Sequence, residues 1–509
     1  MATAKQKAGS VTPSVAVDPA VGGKTLLDLI VAKDTAADAA STKPGPDPNQ
    51  LKQAKTLRSN FVKEILKNDK YKDNPVAAVQ KAIQQIDEVL SAQLNEILHH
   101  ADFKALEASW RGLHYLVTNT ETGIGLKLRL LCASKKEIED DLEKAADFDQ
   151  SALFKKIYEE EYGTFGGKPF SVLLGAYEFD RSSTDLAALP KIAGLAAAAH
   201  APFIAAADPK LFNGAWDSFQ DLGKPRDLAK IFENTELAAW TSFREMEDSR
   251  YVTLVMPRVL LRLPYGPDFA RTDGIELKED TDGRDHKKYL WGNAAWALGL
   301  RITTAYAQYG WCAAIRGVEG GGKVSGLPNH TFNTDEGDKA QKCPTEIAIT
   351  DRREKELDTL GFVALLHCKN TDYAAFFSGQ TTQKPKKYDT SKANDNASIS
   401  ARLPYIINAS RFAHYLKVMC RDKVGSFQTK ETMSVYLNRW ISRYVLGTDD
   451  AGQELKAQYP LREARVDVFD VTGRPGVYRA VVFLRPHFQL EELTASIRLV
   501  AELPPPAAA

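Results

Sequence analysis

Two short, almost wholly apolar segments flank a helical segment near the middle of the chain. The first is SVLLGAYEF, Ser171 to Phe179, and the second is APFIAAA, Ala201 to Ala207; both have the length and composition of buried strands. The segment between them, Asp185 to His200, has a helical pattern in which Pro190 should produce a kink or lie in the first turn. A strand, a crossover helix and a strand predict a sheet covered by helices, and therefore a mixed α+β fold.

Further segments continue this alternation on both sides. LKLRLLCA, Leu126 to Ala133, is predicted to be a strand, and a charged helix that ends near Phe154 follows it. After the central unit, Tyr251 to Gly266 again has strand character, and Trp291 to Gly310 is a long, largely apolar helix.

The last third of the chain is predicted to close on an antiparallel sheet. Ile399 to Cys420 and Thr429 to Leu446 have helical patterns. Val466 to Val471, Tyr478 to Leu484 and Ser496 to Leu503 have strand patterns, and the turn sequence TGRPG joins the first two.

The region before the first predicted strand is helical. Within residues 51–118, Leu57, Phe61 and Ile65 recur at every fourth position, and Asn74-Pro75 marks a break and a new helix start. Residues 1–50 contain no Phe, Trp or Tyr, and such a segment is expected to remain a flexible tail because it cannot bury enough apolar surface to order itself.

One apolar island, Lys24 to Asp34, interrupts that tail and is predicted to form a short amphipathic helix. At 100° per residue its apolar side chains fall within an arc of about 140°. They are Leu26, Leu27, Ile30 and Val31. Because an isolated helix of this length is marginal in water, it needs a partner surface, either on its own chain or on another protein.

The charge balance and the cysteine pattern exclude several classes of protein. Acidic and basic residues number 66 each, which argues against non-specific nucleic-acid binding and against a polybasic membrane anchor. The five cysteines include no CxxC pair, so neither a zinc knuckle nor a disulfide framework is predicted. The sequence shows no apolar signal-peptide core and no segment apolar enough to span a bilayer, so a cytoplasmic location is expected.

The motifs that suggest chemistry are incomplete. GVEGGGKV, Gly317 to Val324, matches the glycine and lysine spacing of a phosphate-binding loop, but Val324 stands where a magnesium-binding hydroxyl is needed. YGTFGGKPF, around Lys168, departs further from that motif. His99 and His100 are adjacent on a helix and diverge by about 100°, so they cannot easily share a metal ion. We therefore predict no catalytic, cofactor-binding or metal-binding residue, and a nucleotide-binding enzyme remains a minor alternative to an assembly subunit.

Long motifs in a fixed order then resemble one family. They are ILHHADFKALEASWRGLHYLV (97–117), YGTFGGKPFSVLLGAYEFD (162–180), HAPFIAAADPKLF (200–212), the loop 311–328, INASRFAHYLKVMCRDKVGSF (407–427) and PLREARVDVFDVTGRPGVYRAVVFLRPHFQLEELTASIRLVAELP (460–504). Together they resemble the large subunit of the type VI secretion contractile sheath (the TssC/VipB/EvpB/ImpC family), from about Leu26 to Pro504.

This resemblance implies a multi-domain fold like that of contractile tail sheaths, with a C-terminal domain like that of phage sheaths. It implies a flexible tail over 1–50 with a short helix at 25–33, and a helical region over 51–120 that pairs with a small subunit. A middle α/β sheath domain is expected over 121–375, and a tube-facing domain with terminal strands over 376–509.

The resemblance also implies a structural function without catalysis or cofactors. The large subunit polymerises with a small sheath subunit (TssB/VipA-like) and with further copies of itself around an inner tube protein (Hcp-like). The sheath grows on a membrane-anchored baseplate, contracts to drive out the tube with its effectors, and is recycled by an AAA+ ATPase (ClpV-like). A sheath of a phage-like contractile injection particle is the close alternative.

Three sets of candidate residues follow from the resemblance. The handle for the recycling ATPase is Leu26, Leu27, Ile30 and Val31. The inter-subunit strand region is Val466, Val468, Val471, Tyr478, Val481, Phe483, Ile497 and Leu499. The tube-facing candidates are Arg485, Glu491 and Glu492, for which capping of the strand ends is the simpler interpretation.

Overall fold

The computed structural model describes residues 75–489, except positions 225, 268, 271, 273, 449 and 475, together with positions 52, 53, 55–57, 59, 60 and 63. The chain divides into two units, one up to Ala92 and one from Gln93 onward. The described positions between 52 and 63 are helical. A long helix begins at Pro75, as the Asn-Pro sequence predicts.

The chain alternates between helices and short strands. The helices are α1 Pro75–His99, α2 Ala101–Asn119, α3 Lys135–Lys144, α4 Ala152–Phe154 (continuing as π-helix Lys155–Tyr162), α5 Ser183–Ala199, α6 Pro209–Phe212, α7 Ala229–Phe232, α8 Ala238–Glu245, α9 Ala295–Tyr309, α10 Asp351–Thr359, α11 Ser391–Ser400, α12 Leu403–Asp422, α13 Lys430–Ile441 and α14 Gln453–Gln458. The strands are β1 Leu173–Phe179, β2 Phe203–Ala207, β3 Val252–Met256, β4 Val259–Leu260, β5 Trp291–Gly292, β6 Lys323–Val324, β7 Thr331–Asn333, β8 Lys339–Gln341, β9 Phe362–His367, β10 Ala374–Phe376, β11 Leu461–Asp470 and β12 Tyr478–Pro486.

A six-stranded sheet in the order β1-β2-β3-β9-β10-β6 forms the centre of the second unit. The pairs β1–β2, β2–β3 and β3–β9 are parallel, and β10 runs antiparallel to both β9 and β6. The β1-α5-β2 unit confirms the crossover predicted from the sequence. Pro190 lies inside an α5 that continues on both sides of it.

The sheet is buried on both faces, which explains the continuous apolar strands. On β2, β3 and β9, Ala205, Leu254 and Phe362 belong to the core beneath α5, α8 and α10. Their neighbours Ile204, Val255 and Val363 belong to a second core beneath α9 and α12. The result is a mixed fold of helices and strands, as the sequence predicts.

Two predicted elements differ from the structure. Residues 126–133 form no strand: this segment has no turn, bend or ladder pairing. The helix predicted from Ile399 is interrupted, since α11 ends at Ser400 and α12 begins at Leu403, with Pro404 in its first turn. In the gap, Arg402 forms an isolated antiparallel β-bridge with Gln380. The backbone here pairs with another segment instead of continuing the helix.

The C-terminal part of the second unit is a hairpin packed on helices. β11 and β12 pair in antiparallel register, for example Val466 with Val482. The described chain thus confirms the first two strands of the predicted antiparallel sheet, while the third, Ser496 to Leu503, lies outside the described residues. Within the described ranges, none of the helices has the length and apolar character needed to cross a membrane.

Candidate functional site: assembly surfaces

The β11–β12 hairpin has one covered face and one exposed face. Val466 is fully buried and packs with Leu437 and Ile441 of α13, and Val482 and Leu484 lie against the same cluster. Of the predicted strand residues, Val466 and Val468 therefore anchor the hairpin, whereas Tyr478, Val481 and Phe483 are exposed and Val471 is half-buried. Ile497 and Leu499 lie outside the described residues.

The two edges of this hairpin differ. On β11, the Val466 amide donates to Asn438 Oδ1 (2.9 Å), and Asn438 Nδ2 donates to the Val466 carbonyl (2.7 Å), so a helix side chain covers this edge. On β12, the described part of the chain supplies no strand to the outer edge. The backbone groups of Val466 bond to Asn438 and not to β12, so Val466 and Val482 form a pair without hydrogen bonds between the two strands. Such pairs alternate along an antiparallel ladder. The N–H and C=O groups of Ala480, Val482 and Leu484 therefore point to the outer edge of β12.

The exposed face of the hairpin is partly apolar. Phe469, Val481 and Phe483 are about half exposed on it. A free strand edge next to exposed aromatic side chains is a template for strand addition by another chain.

The predicted tube-facing residue Arg485 also lies on β12. Its Nη1 is 3.7 Å from Glu463 Oε2 on the paired strand, and its guanidinium lies 5.9 Å from the Phe488 ring centroid. This geometry agrees with the simpler interpretation, a cross-strand pair at the end of the hairpin. Glu491, Glu492 and the ATPase handle lie outside the described residues.

Helix α2 is apolar on two opposite faces. Gly112 and Leu116 are buried on one face, where Leu116 packs with Trp296 and Leu300 of α9. On the opposite face, large apolar side chains fall within an arc of about 60° at 100° per residue and are exposed. They are Phe103, Leu106, Trp110 and Val117, and we call them the α2 stripe. A helix that is apolar on both faces is normally buried on both, so the α2 stripe indicates a partner.

A buried ion network fixes α2 in place. Arg262 Nη1 lies 2.6 Å from Glu279 Oε2, and its Nε lies 2.8 Å from Glu107 Oε1 on α2. Arg111 also donates to Glu107 (2.7 Å). Burial by itself raises the pKa of Glu107, but the hydrogen bonds from Arg262 and Arg111 outweigh it, so this pKa lies below its ordinary value.

The adjacent histidines are part of this structural region. His99 Nε2 lies 3.4 Å from Glu279 Oε1, whereas His100 Nδ1 lies 3.8 Å from Asp102 Oδ2 at the surface. The two rings therefore face different carboxylates. Among the described residues, His, Cys, Asp and Glu side chains form no group suited to hold a metal ion.

The glycine-rich loop is used to build the sheet. The Gly317 amide donates to the Phe376 carbonyl (2.6 Å), and the Phe376 amide donates to the Gly322 carbonyl (3.0 Å). Lys323 begins β6, and its ammonium lies 4.3 Å from the Tyr373 ring centroid. A strand thus follows the loop where a phosphate-binding motif needs a helix N-terminus, and part of its hydrogen-bonding capacity is already used.

Sequence analysis missed a polar cluster at the carboxyl ends of the parallel strands, where α/β proteins usually bind ligands. Arg258 Nη2 lies 2.6 Å from Glu178 Oε2 and 3.3 Å from Asp208 Oδ2, and its Nη1 lies 3.9 Å from Glu346 Oε1. Burial lowers the pKa of Arg258, but the carboxylates around it outweigh burial and raise it. His286 Nε2 lies 3.0 Å from Glu346 Oε1. The only signal in the sequence was a polar residue soon after each strand. The single guanidinium of Arg258 pairs with the three carboxylates around it.

An apolar helix face and a free strand edge, both exposed, are typical of structural subunits that assemble with other chains. Comparison with known proteins gives the family. The family model described as EvpB/VC_A0108, tail sheath N-terminal domain, matches residues 80–383, and the model described as EvpB/VC_A0108, tail sheath gpW/gp25-like domain, matches residues 392–503. The chain belongs to this family of tail sheath proteins.

A curated relative and several solved structures are similar to the chain. The type VI secretion system sheath protein TssC1 of Pseudomonas aeruginosa is 52% identical over 439 residues, which cover 85% of this chain and 87% of that protein. Weaker matches are the baseplate structure of the anti-feeding prophage (TM-score 0.36, 11% identity, 62% of this chain and 66% of that one) and the contracted PVC sheath complex of an extracellular contractile injection system (TM-score 0.32, 10% identity, 61% and 68%). Family membership rests on the sequence matches, and it makes the chain a subunit of a type VI contractile sheath.

Proposed function

We propose that this chain polymerises with a small sheath subunit around an inner tube, and that contraction of the sheath drives the tube and its effectors out of the cell. The observation that carries this proposal is the pair of open surfaces, the α2 stripe and the free edge of β12, on a member of the tail sheath family. The protein acts in the cytoplasm, where the sheath attaches to a baseplate and an AAA+ ATPase recycles it through the helix at 25–33.

The work is mechanical and requires no catalytic residue. The free energy is stored as the difference between two packings of the same subunits, and each subunit contributes a small share. The chain is therefore not an enzyme. The use of the glycine-rich loop in the sheet and the ion pairs between Arg258 and the carboxylates around it support this view.

The helical region over 51–120 pairs with the small subunit through the α2 stripe. Burial of an exposed Trp or Leu side chain stabilises a complex by about 1.5–3 kcal/mol. Trp110→Glu places a charge in this contact and is expected to prevent co-purification of the small subunit. Ser109→Glu adds the same charge on an exposed position outside the stripe and is the matched control. Equal co-purification by both variants would contradict the pairing surface.

The domain over 376–509 lies toward the tube, and its hairpin links neighbouring subunits by strand addition at β12. The middle domain over 121–375 forms the main body of the subunit. Arg485 is the described candidate for a tube contact, since a polar contact lets the sheath grip the tube and release it.

Co-expression with the candidate small subunit tests the function as a whole. Electron microscopy is expected to show hollow tubules when both chains are present and none for this chain alone. Monodisperse particles in both samples would contradict the proposal. Tubules formed by this chain alone would favour the sheath of a phage-like injection particle.

A further inference from the structure

Residues 126–133, which we call the LKLR segment, follow α2 and run along the surface without a turn or bend. The described chain gives the backbone groups of residues 127–132 no ladder partner. Hydrogen bonds hold the two ends of the segment: the Gly123 amide donates to the Leu126 carbonyl (2.9 Å), and Tyr177 Oη donates to the Ala133 carbonyl (2.6 Å). An extended segment with unpaired backbone groups is ready to pair with a strand from another chain.

The side chains of the LKLR segment face two directions. Leu128 packs against the core of α2 and α9, and Leu126 is half-buried. Leu130 and Leu131 are exposed at 59% and 48%, and Ile124, just before the segment, is fully exposed. In an extended segment Leu130 shares the face of Leu126 and Leu128, and Leu131 lies on the opposite face, so each face offers an exposed leucine.

The outward charges of this surface are basic. Arg129 pairs with Glu161, which also accepts a hydrogen bond from the Lys168 amide (2.6 Å), so this carboxylate is already used. The ammonium groups of Lys127 and Lys168 lie next to each other, and Lys168 lowers the pKa of Lys127. Among the described residues Lys127 has no carboxylate partner, whereas the charge of Lys168 acts on Glu161, so an anionic side chain from outside would relieve the repulsion at Lys127.

We propose that the LKLR segment receives an extended, acidic segment of the small sheath subunit by strand addition. The proposal rests on the function proposed above, because it deepens the pairing of α2 with that subunit. The stripe residue Val117 and the exposed Ile124 lie only a few residues apart, so one partner chain covers both surfaces. A carboxylate of the added strand lies between Lys127 and Lys168, and its apolar residues cover Leu130 and Leu131.

Hydrogen exchange and crosslinking test this inference directly. Hydrogen exchange is measured on the full-length chain, alone and co-expressed with the small subunit. For crosslinking, a second sample of the complex carries the photo-crosslinking residue p-benzoylphenylalanine in place of Leu130. The amides of residues 127–132 are expected to exchange at least tenfold more slowly in the complex, and the crosslinked peptide is expected to be an acidic segment of the small subunit.

Charge reversal supplies the matched variants. Lys127→Glu with Lys168→Glu is expected to weaken the complex at least tenfold at low salt, and less at high salt. Lys387→Glu with Lys392→Glu makes the same change of net charge at other exposed lysines and is expected to have no effect.

The failures of the two proposals are distinguishable. If tubules form but residues 127–132 exchange equally fast in both samples, the strand addition is wrong while the sheath function stands. A crosslink to a second copy of this chain, or to its own residues 490–509, also overturns the inference. If no tubules form with the small subunit, the function itself is contradicted.

Discussion

Gly112 allows α2 and α9 to approach closely. A Cβ atom at this position would lie 2.3 Å from Cδ1 and Nε1 of Trp296, a distance that forces the ring or the helix to move. Gly112→Ala should increase helix propensity by about 1 kcal/mol, yet overpacking of this kind costs about 1–3 kcal/mol. We expect the clash to outweigh the propensity and lower the melting temperature of the purified protein by a few degrees. Gly447→Ala, which meets no atom within 4 Å, is the control, and an increase in stability for Gly112→Ala would contradict the packing.

His414 makes stability depend on pH. It is buried, its Nε2 donates to the Ala199 carbonyl (2.8 Å), and burial, with Arg411, His200 and Lys417 adding to it, lowers its pKa to about 4. An unfolded histidine has a pKa near 6.5, so the folded state resists protonation between the two values. The contribution of neutral His414 to the free energy of unfolding is complete above about pH 6.5. It is lost as the pH falls toward 4, and the total loss is about 3 kcal/mol.

His414→Gln keeps a donor for the Ala199 carbonyl but cannot take up the proton. The melting temperature of this variant should fall less between pH 7 and pH 5 than that of the parent protein. His200, whose pKa burial also lowers, should leave a residual slope in both. His100→Gln, at a largely exposed side chain, is the control. An unchanged slope in His414→Gln would show that this histidine does not carry the effect.

Single residues show what the sequence could not reveal. The apolar character of Val466 and Phe483 predicted strands, but only the packing on α13 shows that Val466 anchors the hairpin while Phe483 is exposed. Arg258 lies 88 positions from Glu346, the most distant of its carboxylate partners in the sequence. No local sequence pattern connects residues so far apart. Contacts between distant segments depend on the sheet order, which local periodicity does not encode.

At the scale of elements, the free edge of β12 can be removed without breaking the hairpin. Ala480 is exposed, and its N–H points away from β11, so Ala480→Pro removes a donor at the outer edge alone. We expect tubule formation with the small subunit to be lost while the melting temperature of the single chain changes little. Ala480→Val keeps the N–H and adds β-branched bulk, so it should still form tubules in electron micrographs. Normal tubules from Ala480→Pro would exclude strand addition at this edge.

Two apolar segments of similar composition show why some elements could be predicted and one could not. Leu173–Phe179 forms strand β1, because the strand it pairs with, β2, belongs to the same chain. Residues 126–133 also have strand composition, yet no described strand pairs with them. Composition predicts the capacity of a segment to pair, but the partner is set by topology or by another chain. The same limit explains why the sequence predicted the crossover unit well and the assembly surfaces only by resemblance.

At the scale of the whole molecule, the described chain pairs the buried charges of Arg258 and Arg262 internally and exposes apolar side chains. The guanidinium groups of Arg262 and Arg258 pair with carboxylates of the same chain, whereas α2, the LKLR segment and the β11–β12 hairpin all present exposed apolar side chains. Exposed apolar patches of this kind mark interaction surfaces in proteins that fold correctly. We therefore expect assembly with other chains to cover these apolar side chains.

The recycling handle provides a prediction about the whole assembly that can be separated from folding. Leu27→Asp places a carboxylate in the predicted apolar face of the helix at 25–33, where it would have to be buried on binding without a partner charge. We expect tubules with the small subunit to form normally, while pull-down of contracted sheath by the AAA+ ATPase is lost. Ala32→Asp introduces the same carboxylate on the far side of the helix and should leave the pull-down unchanged. Normal ATPase binding by Leu27→Asp would contradict the handle, and loss of tubules would instead show that this helix docks within the sheath.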